Sequence, residues 1–249
     1  MKTIVVLPAY NAEHTIARSI EAVPKNMSLF LVDDASSDGT LEEAKRLGIP
    51  CVRHGQNRGY GGNQKTCYAH ALSTDAQIIV MLHPDAQYDA RLIAPAVAIV
   101  EMGVCDVLLG NRIRSRAGAL GGGMPLYKYL INRILTGVEN ILLGQNLGDF
   151  HSGFRVYRRK VLETIPFKEN DEGFTFDSQF LIQAIHLGFR LGDVPMPVHY
   201  GKESSSIGFW SSTRYGFKTL WSIIRFTLHR WGVRRWRILT VPTDPLSRD

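Results

Sequence analysis

The chain has 249 residues, 45% of them apolar and 21% charged, so it can bury one full hydrophobic core and is not a disordered polypeptide. A formal net charge of +6 suits phosphorylated ligands, an anionic lipid surface or nucleic acid, and the absence of any nucleic-acid reading module sets the last aside. Three widely spaced cysteines, Cys51, Cys67 and Cys105, form no CxxC pair, which argues against a disulfide framework or a zinc site and for a reducing, cytoplasmic compartment.

The run Ile4–Leu7 predicts a first buried strand, which Pro8 ends too early for a signal peptide. Glu13–Ala22 reads as a helix, Ser28–Val32 as a strand, Thr40–Leu47 as a helix closed by Gly48, Cys51–Arg53 as a short strand and Gly62–Leu72 as a helix. Ile78–Leu82 is continuously apolar, the pattern of a parallel strand covered on both faces. Then come a helix at Ala90–Met102, a strand at Val107–Leu109, a long helix at Pro125–Leu143, a strand at Gly153–Tyr157, a helix at Phe176–Leu187 and a strand at Val194–Val198. Strands alternating with helices imply an α/β fold with a doubly wound, mostly parallel sheet. No repeat or linker divides the chain, so residues 1–207 are expected to form one domain and 208–249 a helical extension of it.

In open α/β sheets the ligand lies beyond the carboxyl ends of the strands, and four strand ends carry polar clusters. They are Pro8-Ala9-Tyr10-Asn11-Ala12-Glu13, the stretch Asp33–Thr40, Asn57-Arg58-Gly59-Tyr60-Gly61-Gly62-Asn63 and His83-Pro84-Asp85-Ala86-Gln87. Each alone reads as a cap or a turn. A Gly-rich loop after the first strand, needed by a dinucleotide oxidoreductase, is absent.

In this order the clusters resemble glycosyltransferase family 2, over roughly Lys2 to Ile207. Within it the sequence is similar to the polyprenyl-phosphate sugar synthases, such as dolichol-phosphate mannose synthase, sharing also Ser152–Arg155 and Asp193-Val194-Pro195. The resemblance implies a GT-A fold and an inverting, metal-dependent transfer from a nucleoside-diphosphate sugar. Pro8 and Tyr10 would form a stacking wall for the base, with Asn11 and Glu13 beside them, and Asp33 or Asp34 would accept from the base or ribose. The turn at Gly59–Gly62, Gly61 within it, would open a helix whose N-terminus favours anions, with Arg58 and Lys65 within reach of a phosphate. Where the family has Asp-x-Asp, this chain has His83-Pro84-Asp85. Residues two apart in an extended segment share a face, so His83, Asp85 and Gln87 point together and suit Mg²⁺ or Mn²⁺, with His83 either a ligand or a packing residue.

The acceptor remains open between two chemistries. A lipid phosphate needs cations and no base; Arg112 matches a family arginine in that role, and Lys128 and Asn132 lie one helical turn apart nearby. A sugar hydroxyl of a glycan or glycolipid needs a general base, for which Asp177 is the first candidate and Asp149 the second. Arg155 is either a phosphate contact or an exposed strand residue, and His151 is grouped with Lys202, Ser205 and Ser206, the last three in the stretch Tyr200–Ile207, for which the resemblance implies a lid contacting the diphosphate. The altered Asp-x-Asp triplet also admits a non-catalytic sugar-nucleotide-binding relative.

All four tryptophans fall between Phe209 and Leu239, a segment with seven lysines and arginines and no acidic residue. Phe217, Leu220, Trp221, Ile224, Leu228 and Trp231 follow the spacing of one apolar helix face. That face either packs on the protein or on a second subunit, leaving a homo-oligomer open, or lies on an anionic membrane surface, peripheral on the inner leaflet.

Overall fold

The structure, a computed structural model, describes residues 1–198 and 209–240. Seven strands form one sheet in the order β3-β2-β1-β4-β6-β5-β7: β1 Thr3–Ala9, β2 Ser28–Asp33, β3 Cys51–Arg53, β4 Ile78–Leu82, β5 Val107–Asn111, β6 Phe154–Arg158 and β7 Leu191–Pro195. All neighbours are parallel except β6, which runs antiparallel between β4 and β5. The chain winds from β1 outward to β3 and returns to place β4 on the other side of β1, so the winding reverses between β1 and β4.

The helices are α1 Ile16–Ile20, α2 Thr40–Arg46, α3 Gly59–Ser73, α4 Ile93–Glu101, α5 Arg116–Gly121, α6 Leu126–Leu143, α7 Arg159–Thr164, α8 Thr175–His186 and α9 Phe209–Arg230. Alternation along the central strands sends Ile4, Val6, Ile79 and Met81 to one face and Val5, Leu7, Ile78 and Val80 to the other. The first face is covered by α3, α8 and α9, which add Tyr68, Phe176, Phe180, Ile223 and Phe226, together with Trp236, Ile238 and Leu239 beyond α9. The second is covered by α1, α2 and α4 through Ile16, Ala44, Ile93 and Val97. Burial on both faces explains the unbroken apolar runs of β1 and β4.

Several elements differ from the sequence reading. The helix expected at Glu13–Ala22 shrinks to α1, because residues 11–15 turn around the end of β1. The last strand is β7, Leu191–Pro195, rather than Val194–Val198; Pro195 and Pro197 lack the N–H a ladder needs, and β7 is an edge strand paired only with β5. The short helices α5 and α7 were not expected. No helix among the described residues is long and apolar enough to cross a membrane.

In α9 the inward residues are Thr219, Ser222, Ile223 and Phe226, whereas Phe217, Trp221 and Ile224 are exposed, as is Trp231 just beyond its end. The apolar stripe read from the sequence is therefore on the outside, and Leu220 and Leu228 sit half-buried at its edges.

Candidate active site

A cleft of about 650 Å³ opens where the winding reverses, bounded by the ends of β1, β2 and β4 on one side and by α6 and α9 on the other. Three of the strand-end turns pass through left-handed backbone at non-glycine residues: Asn11 at φ 51°, Ala35 at φ 58° and Ala86 at φ 52°. Such residues cost on the order of 1–3 kcal/mol each and persist where surrounding contacts over-determine them. Here the turns brace one another. Asn11 N donates to Ser36 Oγ (2.9 Å), Ser37 N donates to Asn11 Oδ1 (2.9 Å), and Ala86 N donates to Ser19 Oγ (2.8 Å).

At the first end of the cleft, Pro8 is buried and Tyr10 is exposed at the rim, both lining it. Asp34 also lines it, with Oδ1 accepting from Arg58 N (2.8 Å) and 2.6 Å from His54 Nδ1, and Oδ2 accepting from Gly59 N (2.9 Å). The floor carries Asp85, half-buried, whose Oδ1 accepts from Gln87 N (3.1 Å), and the buried Gln87. Beside them His83 Nε2 lies 3.0 Å from the Tyr60 hydroxyl, and the two rings stack at 5.0 Å. Burial pushes the His83 imidazole down to about 4, so the ring is neutral at pH 7. A Cβ on Gly153 would collide with His83 Cδ2, which is why the turn into β6 needs glycine there.

Behind the floor, Asp177 holds a buried network. Its Oδ2 accepts from Tyr60 Oη (2.6 Å) and meets Arg155 Nη2 at 3.1 Å, while Oδ1 accepts from Gln64 Nε2 (3.1 Å). Arg155 is wholly buried.

The second end is cationic inside an apolar wall. Arg112, Lys128 and His151 line it together with Met124, Ile131 and Leu135. Arg112 Nε donates to Asp149 Oδ2 (2.6 Å) and Nη2 to Oδ1 (3.2 Å), and Asn132 Nδ2 donates to Asp149 Oδ1 (2.9 Å). Burial opposes the charge on Asp149, yet Arg112, His151 and Asn132 hold its carboxyl well below the usual range. His151 lies 3.0 Å from Glu139 Oε2 through Nε2 and 2.8 Å from the Tyr215 hydroxyl through Nδ1. Burial alone would lower the imidazole; Glu139, Tyr215 and Asp149 outweigh it and lift the ring to about 10, so it carries a proton at pH 7. Burial and the neighbouring Arg112 push the Lys128 ammonium down.

Residues 4–166 match the sequence model of glycosyl transferase family 2. The chain belongs to this family. It is 30% identical over 222 residues to an uncharacterized protein of Methanocaldococcus jannaschii, covering 88% of this chain and 90% of that one. It is 24% identical over 238 residues to the UDP-N-acetylglucosamine–dolichyl-phosphate N-acetylglucosaminyltransferase of Methanococcus voltae, covering 88% and 93%. Among solved structures it is similar to glucosyl-3-phosphoglycerate synthase from Mycobacterium tuberculosis, with TM-score 0.68 and 21% identity over 94% of this chain and 81% of that one. The protein is thus a glycosyltransferase with a GT-A type fold.

In this family 2 glycosyltransferase several residues marked from sequence hold the scaffold instead. Lys65 is buried, its Nζ donating to Asn170 O and Glu172 Oε1 at 2.5 Å each, and it does not line the cleft. The Arg58 side chain points to Glu172 at 3.9 Å. Gly61 N donates to Glu172 O (2.7 Å), as does Gly62 N (3.1 Å), so protein oxygens from Asp34 and Glu172 occupy the N-terminus of α3 that a diphosphate was expected to use. A Cβ on Gly61 would strike Asp171 O and the Phe176 side chain, so close packing of the 171–172 turn demands that glycine. Glu13 Oε2 accepts from Gly39 N (3.0 Å) ahead of α2. Asp33 is fully buried, accepting from Ser36 N (3.0 Å) and paired with Arg53 at 3.3 Å. Arg155 is neither exposed nor at the acceptor, since it neutralises Asp177. Asn132 lines the cleft, but its amide serves Asp149. Lys202, Ser205 and Ser206 lie outside the described residues.

The sequence reading passed over Tyr60, Glu139 and Tyr215. Glu139 had a signal: Asn132, Thr136, Glu139 and Leu143 follow the inward spacing of α6, and an acid on that face requires a partner. Tyr60 and Tyr215 had none, because their partners are 117 and 64 residues away in the chain.

Among the described residues no group of three or more His, Cys, Asp or Glu side chains converges as a metal cluster. The floor nevertheless fits a hard divalent ion: it offers the Asp85 carboxylate and the Gln87 amide, a donor set that suits Mg²⁺ or Mn²⁺ when substrate phosphates and water complete the shell. His83 stays open as a ligand or a packing residue: its Nε2 engages the Tyr60 hydroxyl, which leaves Nδ1 of the neutral ring as the nitrogen for an ion.

Proposed function

We propose that this glycosyltransferase moves a sugar from a nucleoside-diphosphate donor onto a lipid phosphate of the polyprenyl type. The observation that carries the reading is the cationic end of the cleft: Arg112, Lys128 and the charged His151 set among Met124, Ile131 and Leu135. A ligand that fits has an anionic head and an apolar body.

The donor would lie across Pro8 and Tyr10, with its diphosphate over Asp85 and Gln87. A divalent cation held there by Asp85 supplies neutralisation of the charge that builds on the departing diphosphate. Lys128 and Arg112 orient the acceptor phosphate so that one oxygen faces the anomeric carbon opposite the leaving group, and attack from that side inverts the centre. The nucleophile is already anionic, so no proton needs removal. The two candidate bases agree with this, since both oxygens of Asp177 and both of Asp149 already accept from protein donors. The dolichyl-phosphate acceptor named for the Methanococcus voltae relative supports the same class.

The test incubates the full chain with labelled uridine- and guanosine-diphosphate sugars, Mn²⁺ or Mg²⁺, and polyprenyl phosphate in detergent. The expected product partitions into organic solvent and releases its sugar in mild acid. A product formed only on free sugars or glycans, with none on the lipid phosphate, overturns the reading. The donor that binds raises the melting temperature, by an amount that grows with the logarithm of its concentration over its Kd.

A further inference from the structure

The helix α9 is inside out for an element whose only neighbour is its own protein. Its buried side carries Thr219 and Ser222, satisfied by Ser178 Oγ (3.2 Å) and Lys218 O (3.0 Å), beside Ile223 and Phe226. Its outer side presents Phe217 and Trp221 at 71% and 56% exposure and Ile224 beside them, and Trp231, just past its end, is 71% exposed. The adjoining α6 repeats the inversion: Asn132, Thr136 and Glu139 are buried, while Leu130, Ile134 and Ile141 are exposed. The helices touch, with Leu135 packed over Gly216, and the residue next to each contact, Ile134 and Phe217, is exposed. Exposed apolar side chains gathered on two touching helices mark an interaction surface.

The two chain segments that carry the patch contribute charge of one sign, and of their cations Lys218 and Arg237 pair with Asp171 and Glu169 from outside them. Residues 204–243 contain seven lysines and arginines and no acid, and Arg214, Arg230, Arg234 and Arg235 are exposed. Residues 107–138, which lead into α6, also contain no acid, and Arg114 and Arg116 are exposed.

We infer that the α6–α9 face seats on an anionic lipid bilayer, both helices lying in the plane of the headgroups. A second copy of this chain is the rival occupant. Two-fold pairing would set the patch against itself, placing arginines opposite arginines with no acidic residue in either helix's exposed stripe to neutralise them. Anionic headgroups remove that conflict, and tryptophan with arginine around an apolar stripe is the composition of an interfacial helix. The inference goes beyond the acceptor reading and holds whatever the acceptor is.

The experiment is co-sedimentation of the full chain with phosphatidylcholine vesicles, with and without phosphatidylglycerol, at low and high salt. The comparison protein is the double variant Trp221→Ser, Trp231→Ser, which changes exposed positions and keeps the fold. Deleting α9 is unsuitable, because Ile223 and Phe226 are core residues and Tyr215 lines the cleft. Wild type is expected on the anionic vesicles at low salt and free at high salt, with its tryptophan emission quenched by brominated lipid. The double variant partitions about tenfold less or weaker still, at an unchanged melting temperature. A second variant, Arg234→Glu with Arg235→Glu, is expected to lose the preference for anionic vesicles. The inference is overturned if wild type stays in the supernatant, if the double variant binds as well as wild type, or if sedimentation velocity shows a dimer that the double variant loses while vesicles bind neither. Transfer to detergent-dispersed polyprenyl phosphate, measured on the same double variant, reads the acceptor proposal separately.

Discussion

The two ends of the cleft are built on opposite principles. At the donor end, the polar residues of β1, β2 and the α3 turn bond chiefly to backbone amides of neighbouring turns: Asp34 to Arg58 and Gly59, Asp33 to Ser36, Asn11 to Ser37. At the end proposed for the acceptor, charged side chains meet other charged side chains, Arg112 with Asp149 and His151 with Glu139. The first arrangement fixes the shape of a turn; the second fixes a local charge. On the proposed reading, the polar residues of the donor end serve binding mainly by holding a surface in place, and those of the acceptor end serve it by the field they leave in the cavity.

Asp85 breaks this pattern if it acts chemically, and it carries the largest expected effect. Asp85→Ala removes the floor carboxylate and with it the contact to Gln87 N, so it is expected to cost transfer about 10³-fold or more, read as turnover per folded protein. Near-normal metal-dependent turnover in this variant would return Asp85 to the turn-holding class. Next comes Arg112→Met. It leaves Asp149 buried without its counter-charge, and breaking such a pair costs about 3–5 kcal/mol. Calorimetry should show a melting temperature about 10 °C lower, with the acceptor KM raised in the folded remainder. A variant as stable as wild type would mean that the acceptor end is not a charge-paired construction.

Asp177→Asn separates the two acceptor chemistries less cleanly than its position on the cleft suggests, because Arg155 loses its partner. Turnover normalised to folded protein is the useful reading: a drop of about 10²-fold or more indicates a general base and a hydroxyl acceptor, and a change under about tenfold fits the phosphate. Such a drop would also blur the contrast between the two ends, since a network behind the floor would then be taking part in chemistry.

The proton on His151 offers a titration of the contrast. Its folded value, about 10, lies above the ordinary 6.5, so its stabilisation is complete below about pH 6.5 and is lost as pH rises through 10. Thermal melts should therefore lose stability between pH 6.5 and 10, and His151→Gln should flatten that slope. An unchanged slope in the variant removes His151 as the source of the charge. The smallest expected effect is at the donor end: Arg58→Ala breaks a surface pair of 3.9 Å, so stability should stay within about 0.5 kcal/mol and the donor KM should not move. A large rise in donor KM would restore Arg58 as a phosphate contact.

The same division governs what the sequence discloses. β4 matches its expected span, Ile78–Leu82, because a strand buried on both faces writes an uninterrupted apolar run. The strand-end clusters are legible because a turn gathers its glycine, asparagine and aspartate residues into one compact motif, although the bonds that tie one turn to the next span 24 to 26 positions. The position of β6 is not legible: its antiparallel insertion between β4 and β5 depends on pairings such as Val80 with Val156, 76 positions apart. Lys65 and Arg58 look like phosphate ligands in sequence because they sit beside a glycine turn; their partner, Glu172, lies more than a hundred residues on. The stripe of α9 was visible, but its direction was not, because Thr219 and Ser222 become good inward residues only once α8 supplies Ser178.

A single helix, α6, gives Ile131 and Leu135 to the cleft wall and Leu130 and Ile134 to the exposed stripe, so the inner and outer apolar surfaces are one turn of backbone apart. With that stripe seated on lipid, a long-tailed phosphate need never enter water to reach Arg112. Its capture becomes a search in two dimensions, and turnover should follow the mole fraction of acceptor in the surface and not its bulk concentration: diluting vesicles at fixed composition would leave the rate per bound enzyme constant, whereas diluting the acceptor within the bilayer would slow it.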